Sequence, residues 1–117
     1  MITQTKSIKP EELKKYKDIT KDFDDLKLKR NTSKKMKIRY NNPDDEDKKF
    51  IIESTDAILF IRTKELNVQS KTSGYIRFII NTPGTIGTYT PYIIVKKIGI
   101  DGVGEVEEVL KFSIEVC

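Results

Sequence analysis

Two different periods run along this chain. In residues 9–30 the apolar side chains Leu13, Tyr16, Ile19, Phe23 and Leu26 recur every three or four positions, the spacing that aligns side chains on one face of an α-helix. Pro10 suits a first helical position, and Glu11 and Glu12 complement a positive helix end. The pattern therefore predicts an N-terminal amphipathic helix, and Asn31, Thr32 and Ser33 supply its stop and a short linker. A linker of that length holds the helix near the next element, so the stripe is expected to dock on the chain's own core rather than on a partner.

After residue 34 the period shortens to two. Short β-branched and aromatic runs at residues 35–41, 48–54, 57–63, 65–69, 74–81, 88–97 and 105–116 alternate with turn residues, giving seven predicted strands. Ile76, Phe78 and Ile80 fall on one face of their run, with Tyr75 and Arg77 on the other; Leu110, Phe112, Ile114 and Val116 repeat the pattern. Pro83-Gly84 and Asp101-Gly102 mark turns, the second a hairpin signal. Short strands spaced this closely favour a sandwich over a βαβ layout. The expected architecture is mainly β: residues 1–33 as helix and linker, and residues 34–117 as an immunoglobulin-like antiparallel β-sandwich of about seven strands.

Composition narrows the chemistry. The 117 residues include no histidine and one cysteine, Cys117, which excludes histidine-based triads, histidine metal sites, an intrachain disulfide and cysteine-cluster zinc. Carboxylates such as Glu53 and Asp56, and Lys64, are present without motif spacing, so no enzyme, cofactor or small-molecule substrate is expected. The acidic run Asp44, Asp45, Glu46 and Asp47 lacks EF-hand spacing and reads as a solvated loop tip, not a metal site. Gly99, Gly102 and Gly104 match neither dinucleotide nor Walker spacing. No apolar run reaches the length of a signal peptide or membrane span, so a soluble, cytoplasmic chain without membrane attachment is expected.

Charge is uneven. The net charge of +4 arises entirely in residues 1–49, and Lys27, Lys29, Arg30, Lys34 and Lys35 form the candidate partner-binding stretch, continued by Lys37 and Arg39. Such cations attract acidic protein surfaces and phosphate backbones alike. Only Tyr40 stands close by as a stacking aromatic, which favours an acidic protein over nucleic acid.

The runs Lys49-Phe50-Ile51-Ile52-Glu53-Ser54, Ser73-Gly74-Tyr75-Ile76-Arg77-Phe78, Gly87-Thr88-Tyr89, Ile93-Ile94-Val95 and Glu107-Glu108-Val109-Leu110-Lys111-Phe112-Ser113-Ile114 together resemble an immunoglobulin-like module of ciliary proteins. The class is the Hydin-type and major-sperm-protein-type domain, with nephrocystin-family modules the nearest likeness, and the resemblance spans residues 48–117. It implies a non-enzymatic interaction or scaffold module of a ciliary, basal-body or cytoskeletal assembly. A small basic nucleic-acid-binding protein is the alternative reading.

Overall fold

A computed structural model describes residues 13–23 and 25–117. A 3-10 helix, Lys14–Ile19, is followed by β1 (Thr20–Asp22), β2 (Leu26–Leu28), β3 (Ser33–Asn41), β4 (Lys48–Ser54), β5 (Leu59–Ile61), β6 (Glu65–Val68), β7 (Ser73–Asn81), β8 (Gly87–Tyr89), β9 (Tyr92–Ile98), β10 (Gly104–Lys111) and β11 (Ile114–Val116). They form a five-stranded sheet in the order β1-β10-β9-β4-β6 and two three-stranded sheets, β2-β11-β8 and β3-β7-β5. The fold is an immunoglobulin-like β-sandwich.

Among the described residues eleven strands replace the seven expected, because two long runs break and the segment predicted as helix supplies β1 and β2. Residues 88–97 divide at Pro91, which lacks an amide hydrogen and cannot continue a ladder; its carbonyl instead accepts the amide of Phe112. That contact lies at the break between β10 and β11, so β8 and β11 leave their neighbours together and pair with each other.

Among the described residues the predicted amphipathic helix is not formed. Residues 9–12 lie outside the described residues; from Lys14 a single short 3-10 helix runs to Ile19, with Tyr16 at a non-helical φ of −106° and ψ of 16°. The chain then turns extended. β1 pairs in parallel with β10, Thr20 beside Val109, and β2 pairs in parallel with β11, Leu26 beside Ile114. The segment 18–25 is rich in aspartate and includes β-branched Ile19 and Thr20, all poor helix formers. Pairing covers the edges of β10 and β11, which a docked helix, bonded within itself, would leave open.

The apolar positions of the stripe are used by this other geometry. Phe23 and Leu26 pack on the main core together with Leu28, which the helical period did not include. Leu13 and Tyr16 cover Ile94 and Val109 on the outer face of the five-stranded sheet. Ile19 is left exposed.

Between the sheets lies one continuous core that includes Phe50, Phe78, Ile80, Ile93, Phe112 and Ile114, each at most 1% exposed. Phe112 joins the layers: Phe23 stacks on it with ring centroids 4.8 Å apart, and Phe78 meets it edge-on at 5.4 Å. Such pairs add about 0.5–1.5 kcal/mol beyond simple burial. Phe112→Ala is therefore expected to cost about 3–5 kcal/mol and the half-buried Phe23→Ala about 1–2 kcal/mol, read from urea unfolding midpoints. No loss at Phe23 would contradict its seat against Phe112.

Candidate partner-binding face

The sheet β3-β7-β5 turns one face to the core and one to solvent. Along β3, Met36, Ile38 and Tyr40 point inward while Lys35, Lys37 and Arg39 point outward, in strict alternation. Antiparallel register sets Lys37 opposite Arg77, Arg39 opposite Tyr75 and Lys35 opposite Ile79, and β5 adds Phe60 beside Ile79. The result is a solvent face with four cations around exposed Tyr75, extended by Phe60.

Its electrostatics are unbalanced. The ion pairs among the described residues are Lys21–Glu108, Lys48–Asp44, Lys49–Glu65, Lys71–Asp45, Lys96–Glu53 and Lys97–Glu46. None involves Lys35, Lys37, Arg39 or Arg77. Lys37 and Arg77 stand directly opposite each other, an arrangement that costs a sheet stability because like charges repel across the strands. The Tyr75 ring gives partial relief, with Lys37 Nζ 5.0 Å and the Arg77 guanidinium carbon 5.9 Å from its centroid.

The cationic residues singled out from the sequence are spread over β2, the turn into β3 and both sides of β3. Lys35 lies on this face, and Lys34 precedes it on β3 with the opposite orientation. Lys29 and Arg30 occupy the turn into β3, held there by the Thr82 hydroxyl, which donates to the Lys29 carbonyl at 2.7 Å. Lys27 sits on β2 beside Glu115. Arg77 and Tyr75 come from a run more than thirty residues away, and only the β3–β7 register brings them to Lys37 and Arg39.

β3 is also an edge. Among the described residues it pairs only with β7, and beyond its free side a cleft of ≈ 360 Å³ separates it from β1 and β10. Ile38 and Tyr40 line the near wall, Lys21 and Glu108 the far wall, and Ile76 and Leu110 the floor. Burial, with the Glu107 carboxylate close by, pushes the Tyr40 hydroxyl above its ordinary pKa. A second, apolar cleft of ≈ 430 Å³ lies beside β5, between Ile51, Ala57 and Phe60.

The acidic loop after β3 is engaged with the chain itself. Asp45 and Glu46 meet Lys71 and Lys97, each at 3.4 Å, Asp47 accepts the Ser70 amide at 2.8 Å, and Asp44 pairs with buried Lys48. Beneath it, fully buried Asn42 donates its side-chain amide to the carbonyls of Glu46, Val68 and Gln69. The loop is fastened to the β6–β7 turn. Glu53 pairs with Lys96 at 3.1 Å, and Asp56 caps the Ile58 amide at 2.9 Å. Gly99 and Gly102 shape the β9–β10 hairpin, where Gly102 takes a φ of +79°.

No protein-family profile and no curated protein sequence matches the chain. Solved structures do. The PapD-like domain 7 of human CEP192 superposes with a TM-score of 0.64 at 11% identity, covering 85% of this chain and 81% of that one. SSP-19, a protein of the MSP-domain family in Caenorhabditis elegans, gives 0.51 at 11% identity, covering 78% and 92%. The Escherichia coli chaperone DraB gives 0.58 at 15% identity, covering 83% and 57%. These likenesses place the chain in the PapD-like/MSP variety of immunoglobulin-like fold. Among the described residues no helix is long and apolar enough to cross a membrane.

The Asp44–Lys48 pair sets a pH dependence. Lys48, hydrogen-bonded and oppositely charged, holds the Asp44 carboxyl below its usual range, and Asp44 raises the Lys48 ammonium. The stabilisation is complete between the ordinary carboxylate and lysine pKa values; it is lost as pH falls through the lowered Asp44 value or rises through the raised Lys48 value. The stability advantage of wild type over Asp44→Asn, read from urea midpoints, is expected at neutral pH and should disappear in strong acid. An advantage that does not shrink as pH falls through the acid range would contradict the pair's role.

Proposed function

We propose that this chain is a non-enzymatic protein-interaction module that docks an acidic partner on the solvent face of β3, β7 and β5. The observation that carries the reading is the like-charge pair Lys37 and Arg77, retained at a cost in stability, in a face whose cations meet no carboxylate of their own among the described residues. Lys35, with Lys29 and Arg30 in the adjoining turn, extends the positive tract; Lys34, turned to the other side of β3, and Lys27 add long-range attraction. The proposal includes membership of a ciliary or cytoskeletal assembly in the cytoplasm, which rests on the resemblance in residues 48–117. The fold likenesses to a CEP192 domain and to a chaperone support an interaction module in general.

Lys37→Glu separates folding from binding. It places opposite charges across β3 and β7, so stability should hold or rise by about 0.2–1 kcal/mol, while partner capture from lysate with nuclease added should fall sharply. Wild-type capture should also weaken steeply with salt. Capture undiminished in the variant would refute the face, and capture abolished by nuclease would favour nucleic acid over an acidic protein.

A further inference from the structure

The inner side of β3 poses a separate problem. Met36, Ile38 and Tyr40 all point into the sandwich, yet each is only partly buried, whereas Ile76, Phe78 and Ile80 of the neighbouring β7 are at most 1% exposed. The difference has a geometric cause. β1 and β2 pair with β10 and β11, so among the described residues nothing closes the sandwich beside β3, and the cleft opens there. β3 is nine residues long, contains no proline or glycine, and pairs with β7 without a register shift. The other sheet-edge strands, β1, β2, β5, β6 and β8, run three or four residues.

We infer that the free edge of β3 accepts an extended segment of a partner protein as an added strand, in which apolar side chains alternate with Asp or Glu. This rests on the acidic-partner reading above and specifies its mode. Strand addition satisfies the open backbone groups of β3. Alternation then does two things at once. Inward side chains of the added strand enter the cleft over Ile38, Ile76 and Leu110, and outward ones lie beside Lys35, Lys37 and Arg39. The same cations choose the occupant. A second copy of β3 would set lysine and arginine against lysine and arginine, the arrangement by which edge strands resist self-association. The chain's own residues 1–12 carry Lys6 and Lys9, hold their carboxylates only as the adjacent pair Glu11 and Glu12 after Pro10, and show no alternation of acidic with apolar side chains, so they do not match the face either.

The test uses the full chain and capped synthetic peptides of alternating Glu and Val, as long as β3. A peptide of the same composition with its Glu and Val in separate blocks is the control. Amide NMR should show saturable shifts along β3 and in Ile76 and Leu110 with the alternating peptide, and binding at least about tenfold weaker with the block peptide. N-methylation decides the mode. Methylating one amide of the phase that faces β3 should weaken binding about tenfold, and methylating its neighbour should change little, because only alternate amides bond to a given neighbouring strand. Equal affinity for both orders and both methylated peptides, still reduced by Lys37→Glu, would overturn strand addition while leaving the basic face standing. No binding of the alternating peptide at millimolar concentration, self-association through β3, contacts from residues 1–12 to β3 in the free protein, or shifts at β3 with a single-stranded oligonucleotide but not with the peptide would each overturn the inference.

Discussion

The organising constraint is which strand edges the segment 20–28 satisfies. A sandwich closes only when its edge strands are paired or covered, and one short stretch of chain can cover one side. Here that stretch lies parallel to β10 and β11, with Phe23 stacked on Phe112 and Leu26 and Leu28 against the core. The choice fixes the C-terminal strands firmly. Its consequence is an open side beside β3, a half-exposed row of Met36, Ile38 and Tyr40, and a cleft whose far wall is β1 itself.

Charge follows the same division. Six cations elsewhere among the described residues are matched, including Lys96 with Glu53, Lys97 with Glu46, Lys71 with Asp45, and buried Lys48 with Asp44. These pairs fasten loops and neighbouring strands, and the acidic run beyond β3 is drawn into them. On the solvent face of β3 and β7, cation faces cation across the ladder. Surface ion pairs contribute little individually, so the contrast matters as a pattern of placement more than as a sum of energies. An unmatched basic face beside an unmatched strand edge is suited to recognition and poorly suited to self-pairing.

Much of the sandwich was legible from residue periods alone. Alternation identified the inward residues of β7 and of the last run, and β4 spans the predicted residues 48–54. The break at Pro91 carried its signal in the proline itself, whereas the break after Lys111 was not legible, because a run that crosses between sheets keeps its apolar character while changing partner. The helix failed for a different reason. Leu13, Tyr16, Ile19, Phe23 and Leu26 fit a period near three and a half, yet Leu26 and Leu28 fit a period of two equally well, and long-range pairing with β10 and β11 decided between them. The basic stretch was visible as a charge run, but its Arg77 and Tyr75 half depends on a register that joins residues 33–41 to residues 73–81. No local pattern encodes that meeting.

Residue-resolved amide exchange of the free chain bears most directly on the account, because it reads the two sides of β3 separately. Amides of β3 that bond to β7 should exchange slowly while those on the free side exchange quickly, in alternation along the strand, and the amides of β1 and β2 that bond β10 and β11 should be protected. Uniform protection along β3, or protection of residues 14–28 in a continuous helical block, would contradict it.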